Sequence, residues 1–586
     1  MITSEQFSFY RFVKDLVLKR PWHYAGGIIS VIILDAVDML PALIVKEITD
    51  RVQKAPQELD IFNYSLALVG CYLLIAILRM AWRYFLMIPA RTMEAELRQK
   101  AFDKLLESDF ALTSHLKTGD VVSTMSHDLS NIRMFMGPGI LVLFDSMAYL
   151  IFIPATLFYI LGWGALWVLL PFVALALVVI LVQKPLEKGY AAVADTLGDL
   201  SQYVFEESQG ARFFRAEGLI EIRRRKYDLL LQGLLKRQLG ISKWELGLDG
   251  TLQTVIQTSY LTVIVLAWQG HGVMAQGLGA LTVSLQLLDK LLWPLMSISY
   301  LMNLFQQART GARRYHSIDE LPLKKQGQLP LTAPLKEIKL EGFSIKTTEG
   351  KELLHDINLH IKSGQHIALV GPVGGGKTVL LQTLAGLWEA RHLSYNTFSF
   401  NDIPFEELDR RSLWNQLSFI PQTPQIFSRS LGMNISPQHP LEPTSLWRAL
   451  DKADLSQDVS LFPDGLKTIV GEKGLNLSGG QKQRTLIARS FHSGARFYLW
   501  DDAISALDPA TEQRVINSLR ELDPGAILIL ATHRLSSLKK FDRILVLEEG
   551  RISRSGSYNE IKRDHRLFAS LLRDEKESIK EGEWSI

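Results

Sequence analysis

The run Gly371-Pro372-Val373-Gly374-Gly375-Gly376-Lys377-Thr378 has residue types and spacing suited to gripping phosphate. An apolar stretch, 366–370, precedes it, and Val379, Leu380 and Leu381 follow, so the context reads strand, tight loop, helix. Glycines there let backbone N–H groups close around phosphate oxygens, and the helix N-terminus adds a favourable dipole. Lys377 reaches toward β- and γ-phosphates and Thr378 toward Mg2+ in such a motif, which implies a nucleoside triphosphate. Further along, polar residues close or follow apolar runs in a fixed order. Gln422 follows 419–421; Ser478, Gly479, Gly480 and Gln481 open a helix; Asp501 and Asp502 end an apolar strand; Ser505 to Asp508 come next; His533 follows the strand 527–531.

These residues need a scaffold, and the composition divides the chain in two. At 586 residues it is too long for one core. Hydrophobic residues make up 47% and charged ones 21%, with the long apolar runs crowded into the first half. A net charge of +3 excludes the strongly basic surface of a nucleic-acid binder. Cys71 is the single cysteine, which excludes an intrachain disulfide and a Cys-rich metal site. A soluble α/β domain is expected over 336–573, after a Pro- and Lys-containing linker at 321–335 and before a charged tail at 574–586.

Residues 1–320 read as a membrane domain. About 20 apolar residues at 1.5 Å rise cross a ~30 Å hydrocarbon layer, which gives six candidate spans: 22–45, 61–88, 139–161, 163–183, 248–268 and 278–305. Residues 1–19 lack a cleavable-signal pattern and predict a surface amphipathic helix through Phe7, Tyr10, Phe12, Val13, Leu16 and Val17. Lys and Arg fill the long connections 89–138 and 184–247, which are therefore cytoplasmic and helical. Ionisable residues at membrane depth call for an explanation. Asp35 and Asp38 share a face of the first span, and Arg79 and Arg83 a face of the second. Two readings stand: acids and arginines pair as helix glue, or Asp35, Asp38 and Asp145 line a cavity that favours cationic cargo. Trp163, Trp167, Trp268 and Trp293 read as interfacial anchors before cavity walls.

In this order and spacing the second-half motifs resemble the nucleotide-binding domain of ABC transporters. Six spans ahead of one such domain resemble a half-transporter of the ABC exporter family, the multidrug and lipid exporter type, from the first span to about residue 573. The resemblance implies a membrane α-helical domain of six transmembrane helices with long cytoplasmic extensions, followed by an α/β P-loop nucleotide-binding domain. It implies ATP as cofactor, with Mg2+ held by Thr378, Gln422 and Asp501, and catalysis involving Asp502, His533 and Gln422. It assigns 117–128 and 206–216 to cytoplasmic coupling helices and 470–474 to the loop that touches them. The signature, 477–481, then grips the γ-phosphate of ATP held by a second copy, so a dimer is required, closing on ATP and released by hydrolysis. An integral protein of a bacterial inner membrane, nucleotide domain in the cytoplasm, with lipid around it and an amphipathic cargo, is the setting implied.

Two positions depart from the family pattern. Active members carry Glu after the Mg2+-binding Asp; here it is Asp502. A carboxylate drawn back by one methylene is misplaced by about 1 Å, enough for a ~100-fold loss of rate. The adenine-stacking aromatic aligns with Thr347, with Phe343 as a substitute one step too early. Ser478, Gly479, Gly480, Gln481 and His533 match the consensus. A weakened own site beside a full signature resembles one subunit of a heterodimeric exporter; a homodimer with a working Asp502, an importer on the same scaffold and a regulatory subunit are the alternatives.

Overall fold

The computed structural model describes residues 7–54, 60–108, 118–269, 277–321, 327–347, 350–388, 392–437, 442–471, 474–521, 523–534 and 538–564. They fall into two compact units, Met1–Lys104 with Lys117–Glu320, and Leu105–Leu116 with Leu321–Ile586. Of the expected features, linker residues 322–326, Glu472 and Lys473 of the loop before the signature, and the tail 574–586 lie outside the described residues.

The first unit is helical throughout. Helix α1 (Phe9–Leu18) is capped by the Ser8 hydroxyl, which accepts from the Arg11 N–H. Its apolar face does not simply lie on lipid: the Phe9 ring meets Phe135 at 5.6 Å and Phe305 at 5.2 Å, and Phe12 meets Tyr315 at 6.1 Å. Helices α2 (Pro21–Val37) and α3 (Leu40–Lys54) form the first span, broken between them. Pro41 explains the break, because a proline ring displaces the carbonyl four residues upstream, here that of Val37. Helix α4 (Ile61–Trp82) passes through a π turn, Arg83–Met87, into α5 (Ile88–Glu107). The π turn packs closely on α2 because Gly27 has no side chain; a Cβ there would fall 2.5 Å from Leu86.

Helices α6 (Thr118–Ser123), α7 (Leu129–Met134) and α8 (Ile140–Leu161) run on from one another through π turns at Thr124–Asp128 and Phe135–Gly139. Helices α9 (Gly164–Ala216) and α10 (Ile220–Trp268) form a long hairpin that reverses at Gly218, φ 67°, a backbone angle suited to glycine. The segment 206–216 is thus the last turns of α9 and not a helix of its own.

Five stretches among the described residues are long and apolar enough to cross a membrane: Pro21–Gln53, Ile61–Glu107, Gly119–Leu161, Gly164–Ala216 and Ile220–Trp268. The sixth expected span, 278–305, is divided into α11 (Leu278–Lys290) and α12 (Leu292–Asp319). Pro294 acts there as Pro41 does in the first span, on the carbonyl of Lys290. At the far end of α11, Asp50 of α3 accepts the Gly279 N–H at 2.8 Å and pairs with Lys46 at 2.9 Å.

The second unit is built on two main sheets, with a two-stranded pair of Leu329–Pro330 and Leu408–Asp409 beside them among the described residues. An antiparallel one contains β1 (Glu337–Lys346) between β2 (Glu352–Lys362) and β4 (Thr397–Phe400). The other has six strands, ordered β9-β8-β3-β7-β6-β5, where β3 is His366–Val370, β5 Leu417–Ile420, β6 Phe497–Asp501, β7 Ile527–Ala531, β8 Arg543–Glu548 and β9 Arg551–Gly556. Only β9 runs antiparallel to its neighbour. Every residue of β6 and β7 is buried, as continuous apolar strands in a covered parallel sheet should be.

Candidate nucleotide site

Register brings the motif residues together. Asp501, the last residue of β6, pairs with Ala531 of β7, and Ala531 pairs with Leu369 of β3. The loops that leave β3, β5, β6 and β7 therefore emerge along one carboxyl edge of the sheet, where doubly wound α/β proteins bind ligands. A cavity of about 210 Å3 lies there, walled by residues 373–379, Gln422, Asp501, Asp502 and 531–533.

The loop after β3 leads into α13 (Lys377–Leu384). Gly374 has φ 80° and Gly376 φ 100°, and a Cβ on Gly371 would lie 2.0 Å from the Leu547 carbonyl oxygen. These glycines are required by backbone shape and by closeness to the β8 strand. Lys377 folds back on its own loop, donating to the carbonyls of Gly371 at 2.8 Å and Pro372 at 2.9 Å. Gly371 and Pro372 hold the lysine without walling the cavity. Burial lowers the Lys377 pKa from its ordinary value, against the pull of Asp501 and Asp502. Burial also raises that of Asp501; Thr378 opposes the shift, and Asp502 adds to it. His533 is held below its usual value, by burial first and by Lys377 second, and is thereby kept neutral near pH 7.

Two buried oxygens in this cavity have no hydrogen-bond partner, Oδ2 of Asp501 and Oδ1 of Asp502. Oxygen donors from Thr378, Gln422 and Asp501 on one wall are the kind a hard divalent cation takes. Asp502 has φ 53°, a left-handed conformation rare outside Gly, Asn and Asp. Its N–H donates to the Ala531 carbonyl at 2.9 Å, and its carbonyl accepts from the Ser505 hydroxyl at 2.9 Å.

The signature residues lie elsewhere: none of 477–481 walls the cavity. Helix α14 (Gly479–His492) starts at Ser478 with a capping box, the Ser478 hydroxyl accepting from Gln481 N–H and the Gln481 side chain accepting from Ser478 N–H. Gln481 also donates to Asp458 at 2.8 Å, and Asp458 pairs with Arg484 at 3.0 Å. Ser478 and Gly479 are exposed, so the helix N-terminus faces outward.

Thr347 is not part of the cavity wall either. It closes a turn, its hydroxyl accepting from the Lys351 N–H at 3.2 Å. Phe343 does not replace it, being fully buried with its ring against Tyr395 and Phe398. Sequence reasoning overlooked Gln483 and Arg534. Gln483 donates to the Ser505 hydroxyl at 3.0 Å and accepts from Ala506 N–H at 2.8 Å, while Arg534 binds Glu512 at 2.6 Å and the Ser505 carbonyl at 2.7 Å. Together they strap the segment after Asp502 to the signature helix and to the His533 loop. Polar residues beside two recognised motifs were the available signal.

Comparison with known proteins agrees with this geometry. The family model for the ABC transporter transmembrane region matches residues 25–295, and that for the ABC transporter domain matches 354–505, together well over half of the chain. The multidrug resistance-like ATP-binding protein MdlA of Escherichia coli (strain K12) is 25% identical over 95% of both chains. The ATP-dependent lipid A-core flippase of Legionella pneumophila is 26% identical over 80% of both. A solved bacterial Atm1-family ABC exporter with ATP bound shares the fold, with TM-score 0.74 and 20% identity over 95% of this chain and 98% of that one. The chain belongs to the ABC transporter family, as an integral-membrane exporter half-transporter that binds ATP and hydrolyses it to drive transport.

Proposed function

We propose that this chain is one subunit of a heterodimeric exporter of a bacterial inner membrane that moves amphipathic small molecules or lipids. The observation that carries the reading is the separation of the two phosphate-binding elements: a cavity with orphaned carboxylate oxygens, and a capped, outward-facing signature that takes no part in it. ABC exporters of this fold act as dimers, and each element needs its counterpart from a second subunit. The multidrug and lipid A relatives support amphipathic cargo.

In this reading residues 371–378 cradle the phosphates of ATP, Lys377 leaving its own loop carbonyls to meet them. Thr378, Gln422 and Asp501 would hold Mg2+, which would neutralise phosphate charge. His533, kept neutral by burial, is free to contact the γ-phosphate, and Asp502 orients water inefficiently because its carboxylate is short. The partner supplies Glu at the corresponding position, and its ATP is hydrolysed against 477–481 of this chain. Domain boundaries at 320, 335 and 573 and coupling roles for 117–128 and 206–216 belong to the same proposal.

Purification of this chain alone tests it. Weak ATPase that rises only on adding a homologous subunit with Glu is expected; a stable homodimer with robust turnover overturns the heterodimer and favours a working Asp502. Uptake by inside-out vesicles, expected for export, separates it from an importer.

A further inference from the structure

The acids that the sequence singled out at membrane depth have other partners than expected. Asp38 pairs with Lys290, 252 positions away, and not with Arg79 or Arg83. Asp145 accepts from the Trp293 indole N–H at 2.7 Å, and Asp35, Asp38 and Asp145 line a cavity of about 390 Å3 together with both arginines. A clearer excess of positive charge gathers elsewhere, where α5 passes α7.

There Arg91, Glu94, Ala95 and Arg98 of α5 and Arg133 of α7 wall a cavity of about 400 Å3. Three guanidiniums face one carboxylate, an excess of two positive charges. Glu94 is shared, one oxygen taking Arg98 at 2.8 Å and the other Arg133 at 2.8 Å. Arg98 also donates to the Met125 carbonyl at 3.1 Å and Arg133 to the Ser130 hydroxyl at 3.1 Å, so both side chains are held at the wall. Arg91 has neither an ion pair nor a hydrogen bond among the described residues. The next acid along α5, Glu96, is taken by Arg20 at 2.5 Å.

Depth decides which anion such a cavity meets. The expected second span ends at 88 and the third begins at 139. At 1.5 Å per residue Arg91 lies about 5 Å, and Arg133 about 9 Å, beyond the hydrocarbon on the cytoplasmic side, in or beside a headgroup layer of roughly 5 to 8 Å. Ile88 is three residues before Arg91, hence on the same face, and is exposed, an apolar step toward the hydrocarbon. Guanidinium groups bind phosphate oxygens two at a time, and basic pockets between helices at this level suit lipid phosphates. We infer that this cavity binds the phosphate headgroup of an anionic phospholipid of the cytoplasmic leaflet, its chains running back along Ile88. The phosphate meets Arg91 and the remaining N–H groups of Arg98 and Arg133. Because Glu94 and Arg133 tie α5 to α7, on either side of 118–128, the lipid bears on both helices. The site stands independently of how ATP is shared with a partner.

Native mass spectrometry of the full chain in detergent tests it, with phosphatidylglycerol or phosphatidylcholine of the same chains as probe, on variants that keep parental ATP binding. The first phosphatidylglycerol should bind about tenfold more tightly than phosphatidylcholine, the worth of one or two basic residues at a membrane surface. Arg91→Gln combined with Arg98→Gln should remove most of that preference and leave phosphatidylcholine binding the same. Glu94→Gln frees two guanidiniums from their carboxylate and should strengthen phosphatidylglycerol several-fold, a gain that a purely structural cluster would not give. Equal binding of the two lipids by the parent, a preference unchanged in the double variant, or no gain in Glu94→Gln overturns the proposal. Displacement of the lipid by an equal concentration of inorganic phosphate also overturns it, in favour of a site for free anions. If Glu94→Gln fails to fold, Arg91→Gln alone decides the matter, since no described residue holds that side chain.

Discussion

In the proposed reading the phosphate cavity and the signature helix belong to one nucleotide machinery, and the structure has them in opposite states of satisfaction. In the cavity, buried oxygens of Asp501 and Asp502 lack partners, Lys377 occupies itself with its own loop, and Asp502 holds a left-handed backbone. At the signature, Ser478 and Gln481 cap each other, and Gln481 continues to Asp458 and Arg484. One surface is prepared to change when a ligand arrives; the other is rigid before anything arrives. A rigid donor and an adaptable receiver within one chain are what a reaction between two chains requires.

The most damaging test of this contrast removes the signature hydroxyl. Ser478→Ala should lower ATP hydrolysis by the assembled transporter by about 100- to 1,000-fold, the loss expected for a positioned transition-state donor, while ATP binding by this chain alone stays the same. Equal losses in both assays would break the division. Asp502→Glu should raise turnover at this chain's own site by up to about 100-fold, read in an assembly whose other site is inactivated. Lys377→Ala should weaken ATP binding to the isolated chain by about 10- to 100-fold in a nucleotide titration, the value of hydrogen bonds to a charged group.

Acidity sharpens the same picture more gently. Because burial raises the Asp501 pKa, its proton stays on at a pH where an ordinary carboxylate has lost it, and Mg2+ must displace that proton. As pH falls toward the ordinary carboxylate range, the gain in ATP affinity from added Mg2+ should therefore begin to shrink at a higher pH than an unshifted carboxylate would give; a gain that stays flat throughout would place Asp501 outside the metal site. Smallest is the effect on the rigid side. Gln481→Ala, which removes the bonds to Ser478 and Asp458, should cost about 1 kcal/mol, seen in the denaturation midpoint of the nucleotide domain.

What could be read from the sequence follows contiguity. Asp501 ends a short apolar strand, the phosphate loop, Gln422 and His533 follow three others, and parallel register alone carries them to one edge. Hydropathy indicated the spans because a bilayer imposes length and apolarity. The break in the last span needed Pro294 to be weighed against Lys290, and an apolar average conceals that. The pairing of Lys290 with Asp38 depends on long-range packing that no window detects, so the sequence offers only the nearer arginines as partners. Thr347 was reached by counting back from the strand, yet what decides the adenine contact is where a turn points, which spacing does not encode.

The hairpin of α9 and α10 carries a mechanical consequence. At 1.5 Å per residue, the 53 residues of α9 make a strut of about 80 Å. Only about 30 Å of it is needed to traverse hydrocarbon, and beyond Pro185, the last proline in the helix, roughly 50 Å of uninterrupted arm remains outside it. Acting as a crank, such an arm converts a sideways shove of about 5 Å at its tip into a tilt of only a few degrees, multiplying force at the fulcrum where lipid and cargo resist.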